Sequence, residues 1–260
     1  MKRFARIIGT GSYLPPKIIT NSELEKTLDT SDEWITGRTG IKERRVVEGE
    51  STCDLALEAS KKALEMAEIS ASEIDLIILA TTTPDKIFPA TATMLQNRIG
   101  ANCPAFDLQA VCAGFIFALT TAQQYIENGV YKNVLVVGSE TMSRIVDWSN
   151  RSTAVLFGDG AGAVVLSQDN KTGIKFSKIH SDGSYLSALQ VNNNYINETG
   201  YIEMTGNAVY KIAVNQLSNL ADEIIKACNL NSNEISWMIP HQANIRIITA
   251  IAKRINLPMN

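Results

Sequence analysis

Two hydrophobic periods alternate along the chain, one typical of helices and one typical of buried strands. Short continuous apolar runs predict strands, and longer runs with apolar residues three or four positions apart predict helices. The predicted strands cover residues 75–81, 104–108, 132–140 and the end of the glycine-rich stretch 157–169. The predicted helices cover residues 90–99, 111–129 and 244–255. Strands that alternate with helices in this way are typical of an α/β fold.

Part of this pattern occurs twice. Residues 55–80 and 217–239 each contain an amphipathic stretch, a polar turn with a Glu-Ile pair and a short apolar run. Residues 5–15 and 177–187 each contain a short predicted strand that enters a Gly-Ser-Tyr turn. Matches in the same order favour an internal duplication over two unrelated helix–strand units.

The duplication predicts two similar α/β halves, residues 1–170 and 171–260, each with its own sheet and packed against the other. After the predicted strand 235–239, only one helix-like run precedes Asn260, whereas the first half continues through several more elements. We therefore expect a second half that lacks its C-terminal part.

Composition narrows the class of protein. The chain has 260 residues, 45% of them hydrophobic, and a net charge of −3, which gives no electrostatic reason to expect nucleic-acid binding. It has neither the apolar run of a signal peptide nor that of a membrane helix. The four cysteines lie far apart without metal-site spacing, so we expect free thiols in a cytoplasmic protein.

Cys112 is the candidate nucleophile. It lies between a predicted strand ending near Leu108 and a predicted helix starting near Ala113. A helix N-terminus carries unpaired N–H groups and partial positive charge, which we expect to lower the pKa of the thiol. The small neighbours Ala110 and Gly114 leave room for a substrate, and the turn offers N–H groups to an oxyanion. The alternative is a structural cysteine at an alanine-rich helix start.

His241 is the candidate partner of Cys112. It is one of two histidines and follows the predicted strand 235–239 directly after Pro240. Active groups of α/β folds gather at the carboxyl ends of strands. A cysteine and a histidine brought together from distant parts of a chain are typical of acyl transfer.

Five motifs together resemble the β-ketoacyl-[acyl-carrier-protein] synthase III family. They are DTSDEWITGRTGIKERR (29–45), DLQAVCAGF (107–115), RSTAVLFGDGAGA (151–163), MTGNAVYKIAV (204–214) and PHQANIRI (240–247). The resemblance runs in order from residue 3 to the last residues. It implies an acyltransferase of fatty acid biosynthesis with a thiolase-like fold, in which two duplicated halves form a five-layer αβαβα arrangement, usually in a homodimer.

The resemblance implies a condensation in two stages. Cys112 takes an acyl group from acyl-CoA, typically acetyl-CoA, as a thioester, and the carbanion left when malonyl-acyl carrier protein loses CO2 attacks that thioester. His241 matches the family histidine that supports the decarboxylation together with an asparagine. That asparagine and the glycine-rich loop after it are absent from this chain. No metal and no cofactor are implied, since acyl-CoA is a substrate.

The resemblance also implies contacts to coenzyme A. Trp34 and Arg151 resemble the pair that sandwiches the adenine ring, and Arg38 resembles a contact to the nucleotide. The residues that resemble the lining of the pantetheine and acyl tunnel are Phe157, Met204, Gly206, Asn207 and Asn244. Phe88 resembles the residue that crosses the dimer interface to shape the acyl pocket. Without the family, Trp34, Phe157, Met204 and Phe88 would each be assigned to local packing.

A carrier-binding surface is implied as well. The family's carrier-binding segment corresponds to Gln242, Ala243, Asn244, Ile245 and Arg246. Lys211, Lys253 and Arg254 add positive charge that suits an acidic carrier protein. For Lys253 and Arg254, a charged helix face exposed to solvent would look the same.

Two other interpretations stay open. One is a related acyltransferase that makes esters or quinolones. The other is a CoA- or carrier-binding remnant with impaired or no catalysis, which the absent asparagine favours. The preferred acyl-CoA also stays open, because one methylene group changes binding by only about 1–3 kcal/mol.

Overall fold

The computed structural model describes residues 2–192 and 200–259. Strands and α-helices alternate along most of this length. The strands are β1 (Phe4–Tyr13), β2 (Lys17–Thr20), β3 (Glu43–Val46), β4 (Leu76–Ala80), β5 (Ala105–Leu108), β6 (Asn133–Thr141), β7 (Asp159–Asp169), β8 (Leu189–Val191) and β9 (Ile202–Met204). The helices are α1 (Asn21–Leu24), α2 (Asp32–Thr39), α3 (Thr52–Ala67), α4 (Thr91–Ile99), α5 (Gly114–Glu127), α6 (Arg151–Ala154), α7 (Gly206–Cys228) and α8 (Ile245–Arg254).

The first compact unit, residues 2–18, 45–143 and 158–180, is built on a five-stranded sheet. The strand order is β1-β7-β6-β4-β5, with β4 parallel to β5 and β6, and β7 antiparallel to β6 and β1. Parallel neighbours need a crossover connection, which α4 and α5 supply. The four predicted strands of this region and the predicted helices 90–99 and 111–129 are therefore confirmed.

Strand β4 lies at the centre of this unit and is buried along its whole length. Because side chains alternate across a strand, Ile77 and Leu79 join one apolar cluster with residues of α3 and α4. Leu76 and Ile78 join a second cluster with residues of α5. Helices thus cover both faces, which is why the strand sequence is a continuous apolar run.

The second compact unit comprises residues 19–44, 144–157, 181–192 and 200–259. Helix α8 packs on α2 and α7, α6 contacts β9, and β8 pairs with β9 antiparallel. Ile247 and Ile251 of α8 and Ile255, its C-cap, are buried and follow one stripe at helical spacing. The predicted helix 244–255 is confirmed.

Two predicted strands of the second half are wrong. Within the described residues, neither 177–180 nor 235–239 pairs with a strand, and Trp237 and Ile239 are 77% and 86% exposed. An apolar run becomes a strand only when a neighbouring backbone completes its hydrogen bonds. The two Gly-Ser-Tyr copies also differ, since the first lies inside β1 and the second in a 3₁₀ turn, Gly183–Ala188.

The compact units do not follow one boundary at residue 170. Residues 19–44 and 144–157 belong with the residues after 181, although they lie in the first half of the sequence. The halves 1–170 and 171–260 are defined by a repeat in the sequence, and the boundary between them stays a prediction. Among the described helices, none combines the length and the apolar character that crossing a bilayer requires.

The close approach of β1 to α3 gives a stability prediction. A Cβ at Gly11 would collide with the carbonyl oxygen of Ala59, whereas a Cβ at Gly162, on the neighbouring strand β7, would have no atom within 4 Å. We expect Gly11→Ala to lower the free energy of unfolding by about 2 kcal/mol, because backbone must move to admit the methyl group.

Urea denaturation monitored by circular dichroism measures this difference. Gly162→Ala is the matched control and should leave the unfolding midpoint nearly unchanged. Equal destabilisation by both substitutions would contradict the packing described for β1 and α3.

Candidate active site

The turn that carries Cys112 joins the end of β5 to the start of α5. A 3₁₀ turn, Val111–Ala113, follows β5, and α5 begins at Gly114. Val111 has a φ of +48°, which is unusual for a β-branched residue and stores strain in the turn. Gly114 is buried, and a Cβ there would lie 3.2 Å from the Cβ of Ala80 on β4. The small residue lets the helix start close to the sheet edge.

A half-buried carboxylate organises the loop after β4 at the same edge. The Glu140 carboxylate, near the end of β6, accepts hydrogen bonds from the backbone N–H groups of Thr82 (2.8 Å) and Thr83 (3.1 Å). The hydroxyl of Thr83 donates to it at 2.6 Å and that of Thr81 at 3.4 Å. Burial raises the pKa of Glu140, and these donors act in the opposite direction.

The same loop is tied to the start of α3. The Asp85 carboxylate accepts hydrogen bonds of 2.8 Å from the backbone N–H groups of both Thr52 and Cys53. The hydroxyl of Thr52 donates to the backbone oxygen of Thr83 at 2.6 Å. The loop after β4 is thereby fixed to two neighbouring elements, α3 and β6.

The electrostatics of Cys112 differ from the sequence expectation. Cys112 is exposed, whereas Cys53 and Cys103 are buried. Protein packed around the sulfur nevertheless raises the pKa of the Cys112 thiol, and the charge of Glu140 raises it further. The backbone N–H of Cys112 lowers this pKa, but desolvation by the surrounding protein has the larger effect. The expectation of a lowered pKa at the helix start is therefore wrong.

His241 and Asn244 lie in the second compact unit, whereas Cys112 lies in the first. His241 follows Pro240 in an irregular segment, and burial lowers the pKa of its imidazole, so the neutral ring predominates at pH 7. Asn244 is the N-cap of α8, and its side-chain oxygen accepts a 2.8 Å hydrogen bond from the backbone N–H of Arg246. That side-chain oxygen is thus engaged in capping the helix.

The structure brings Trp34, Arg38 and Arg151 together. Trp34 is half-buried on α2, and the guanidinium carbons of Arg38 and Arg151 lie 5.1 Å and 5.0 Å from its ring centroid. Both distances allow a cation–π interaction. Arg151 also donates a 2.7 Å hydrogen bond to the backbone oxygen of Asp29. We call these three side chains the Trp34 clamp.

The other predicted substrate-binding residues lie at the ends of elements. Met204 ends β9 and is half-buried, and exposed Gly206 and Asn207 begin α7. Phe157 is half-buried at the end of the segment that carries α6. Phe88, in the loop between β4 and α4, is 82% exposed. Local packing does not account for Phe88.

Two of the predicted carrier-binding cations, Lys211 and Arg254, line a groove beside α7 and α8. This groove, of about 410 Å³, is lined by residues that include Tyr210, Lys211 and Arg254. The guanidinium of Arg246 lies 5.2 Å from the ring centroid of Tyr210, and Arg254 forms a 2.8 Å ion pair with Asp222. Lys253 is exposed at the end of α8, Gln242 and Ile245 are exposed, and Ala243 is half-buried. We call this region the basic groove.

Known proteins match this chain over its full length. The family profiles of 3-oxoacyl-[acyl-carrier-protein] synthase III and of its C-terminal part match residues 106–183 and 225–260. β-Ketoacyl-[acyl-carrier-protein] synthase III of Vesicomyosocius okutanii is 69% identical over 260 residues, which are 100% of this chain and 83% of that protein. The enzyme of the same name from Neisseria meningitidis is 53% identical over 265 residues, covering 99% and 83% of the two chains.

A solved structure gives the same result. The crystal structure of 3-oxoacyl-[acyl-carrier-protein] synthase III from Aquifex aeolicus superposes with a TM-score of 0.94 at 48% identity, over 98% of this chain and 82% of that one. The chain belongs to the β-ketoacyl-[acyl-carrier-protein] synthase III family. Membership confirms the predicted thiolase-like α/β fold and the assignment to the condensing acyltransferases. The roles of individual site residues remain predictions.

The sequence pattern gives no role to the residues that hold the loop after β4 in place beside the candidate site. The strand predicted over residues 132–140 ends at Glu140 without marking it as a site residue, and no motif singles out Thr83. A carboxylate directly after an apolar strand is a signal for a site at a sheet edge. The bonds from Glu140 to the loop after β4 depend on strand order, which the sequence pattern alone leaves open.

The raised pKa of Cys112 predicts the pH dependence of its alkylation. Only the thiolate reacts with iodoacetamide, so the rate should rise with a midpoint above about 8.5, the ordinary thiol value. At pH 7 the reactive fraction should therefore be smaller than for an ordinary cysteine. Peptide mapping by mass spectrometry measures the rate at Cys112.

Two variants serve as controls for this profile. Cys112→Ser should abolish labelling of that peptide, and Glu140→Gln should move the midpoint to lower pH because it removes a nearby negative charge. If the midpoint in the unmodified protein lay at or below the ordinary thiol pKa, the raised pKa assigned to Cys112 would be wrong.

Proposed function

We propose that this chain catalyses the initiating condensation of fatty acid synthesis. Acyl-CoA, with acetyl-CoA as the primer, and malonyl-acyl carrier protein yield 3-oxoacyl-acyl carrier protein, CoA and CO2. The observation that carries the proposal is an exposed thiol, Cys112, at a sheet edge in a chain 69% identical to a synthase of this kind. The related acyltransferases and the non-catalytic remnant have no comparable support.

In the first stage, the Cys112 sulfur attacks the thioester carbonyl of acyl-CoA. A new carbon–sulfur bond forms at Cys112, the bond to the CoA sulfur breaks, and the CoA thiolate takes up a proton. Because the pKa of the free thiol is raised, deprotonation must accompany substrate binding or attack. Backbone N–H groups of the turn Val111–Ala113 are the candidate donors to the oxyanion.

In the second stage, His241 is proposed to donate a hydrogen bond to the thioester oxygen of malonyl-acyl carrier protein. Loss of CO2 leaves an enolate, and its carbon attacks the acyl-Cys112 carbonyl and releases the Cys112 thiolate. A neutral imidazole N–H stabilises negative charge on the enolate oxygen without supplying a strong acid that would quench the carbanion. The lowered pKa of His241 supports this role.

The Trp34 clamp is proposed to hold the adenine ring of CoA. Aromatic and guanidinium planes both stack on a purine, and Trp34 and Arg151 provide one of each, with Arg38 beside the nucleotide. The proposed lining of the pantetheine and acyl tunnel is Phe157, Met204, Gly206, Asn207 and the region of Asn244. Half-buried and exposed side chains at element ends are consistent with such a lining.

The basic groove is proposed to receive the acyl carrier protein. Lys211, Arg246 and Arg254 give it positive charge, with Lys253 and the segment 242–246 nearby. The ion pair with Asp222 offsets part of the charge of Arg254. We further propose a cytoplasmic homodimer, in which exposed Phe88 reaches the acyl pocket of the partner subunit.

His241→Ala tests the division of labour between the two stages. We expect the variant to form acetyl-Cys112 from acetyl-CoA at the normal rate. Condensation with malonyl-acyl carrier protein should fall about 10²–10³-fold, because a donor to the developing oxyanion is lost. Radiolabelled acetyl-CoA followed by separation of enzyme-bound label and 3-oxoacyl product measures both stages.

His180→Ala replaces the other histidine and should leave both stages unchanged. Cys112→Ser should abolish both. Condensation by His241→Ala at the unmodified rate would refute the role of His241, and acylation of Cys112→Ser at a residue other than 112 would refute the proposed nucleophile.

A further inference from the structure

Arg44 is a buried cation that the proposed chemistry does not use. It lies within β3 and is only 4% exposed. Among the described residues, no carboxylate forms an ion pair with it, and burial lowers the pKa of its guanidinium. Burying a charge without a counter-charge costs free energy, so its hydrogen bonds must be well placed to retain it.

The Arg44 guanidinium donates hydrogen bonds to three separate segments. One Nη donates to the backbone oxygen of Ile19 at 3.1 Å, at the end of β2. The other donates to the side-chain oxygen of Asn21 at 2.9 Å and to the backbone oxygen of Val155 at 3.1 Å. Val155 is the C-cap of α6, the short helix that begins with Arg151.

Asn21 extends this network to α2. Its side-chain nitrogen donates to the Asp32 carboxylate at 2.7 Å, to the Thr36 hydroxyl at 3.2 Å and to the backbone oxygen of Ile41 at 2.8 Å. Asp32 and Thr36 belong to α2, the helix that carries Trp34 and Arg38. Asn21 is 1% exposed, so these bonds are not exchanged readily for bonds to water.

The two side chains therefore connect the helices that carry the two sides of the Trp34 clamp. Arg44 binds the end of α6, which holds Arg151, and Asn21 binds α2, which holds Trp34. A short helix such as α6 has few bonds of its own to fix its position. The planar fork of an arginine presents donors on three nitrogens in a fixed geometry, whereas a lysine carries all its donors on one nitrogen.

We propose that Arg44 and Asn21 are positioning residues that set the spacing of Trp34 and Arg151 and so determine the affinity of this chain for the adenine end of coenzyme A. This inference rests on the proposed function of the Trp34 clamp. It predicts that loss of Arg44 weakens recognition of the adenine nucleotide and leaves recognition of the pantetheine arm unchanged.

Protection of Cys112 from iodoacetamide tests the proposal without requiring turnover. Coenzyme A and 4′-phosphopantetheine, which lacks the adenosine part, are each titrated against the alkylation rate of Cys112. Arg44→Met fills the same space without donating hydrogen bonds, and Arg44→Lys keeps the charge but loses the fork. Trp34→Ala removes the clamp, and Arg6→Met, at an exposed arginine on β1, is the matched control.

In the unmodified protein, coenzyme A should protect at a far lower concentration than 4′-phosphopantetheine. Arg44→Met should raise the concentration of coenzyme A needed for half-protection roughly tenfold, as expected for losing hydrogen bonds from a charged group. For Arg44→Lys, this concentration should lie between those of the unmodified protein and Arg44→Met. For Trp34→Ala, it should rise at least as much as for Arg44→Met, and for Arg6→Met it should not change. Protection by 4′-phosphopantetheine should be the same in all variants.

The failures are distinguishable. If Trp34→Ala weakens protection by coenzyme A and neither Arg44 variant does, the role of Arg44 is refuted while the clamp stands. If an Arg44 variant weakens protection by both ligands equally, Arg44 supports the fold in general, and the proposal is wrong. If Trp34→Ala has no effect, or coenzyme A protects no better than 4′-phosphopantetheine, the clamp itself fails and this inference falls with it. Should Arg44→Met not fold, Arg44→Lys decides by the same criteria.

Discussion

The candidate site depends on the parallel pairing of β4 with β5 and with β6. Ala80, the last residue of β4, pairs with Leu108, the last residue of β5, and with Gly138 of β6, which continues along the same edge to Thr141. The turn that carries Cys112, the loop after β4 and the carboxylate of Glu140 all lie within a few residues of this line. Parallel strands direct their carboxyl ends to the same edge, which makes that edge the natural place for chemistry.

That edge contains features that cost free energy, and the sheet beneath it offsets the cost. Val111 has a strained backbone, and Glu140 is a half-buried carboxylate that needs donors from Thr82 and Thr83. The apolar clusters on both faces of β4 supply the opposing stabilisation, because each buried aliphatic side chain contributes about 1.5–3 kcal/mol. In this way the packed sheet lets a strained turn hold the Cys112 thiol in one place.

The sequence pattern predicts elements whose own hydrophobic periodicity marks them as buried. It fails where an element forms only if a neighbouring strand pairs with it. The fully buried β4 and the amphipathic α8 were found, whereas the apolar run 235–239 pairs with no strand among the described residues. Position and motif single out Cys112 as the candidate nucleophile, but the direction of its pKa shift depends on the protein packed around the sulfur, which no local pattern reveals. Arg44 lies within the motif 29–45, but the motif gives it no role, because its hydrogen bonds to Asn21 and to the end of α6 are visible only in the structure.

Covalent capture of the acyl group tests the central claim, that the sheet edge presents Cys112 as an acyl acceptor. The protein is incubated with acetyl-CoA, quenched in acid and digested, and the peptides are mapped by mass spectrometry. The account predicts one acetyl group on the Cys112 peptide, removed by hydroxylamine as a thioester should be, with Cys53, Cys103 and Cys228 unmodified. No acetyl group on Cys112, or acetylation of another cysteine in its place, would contradict it.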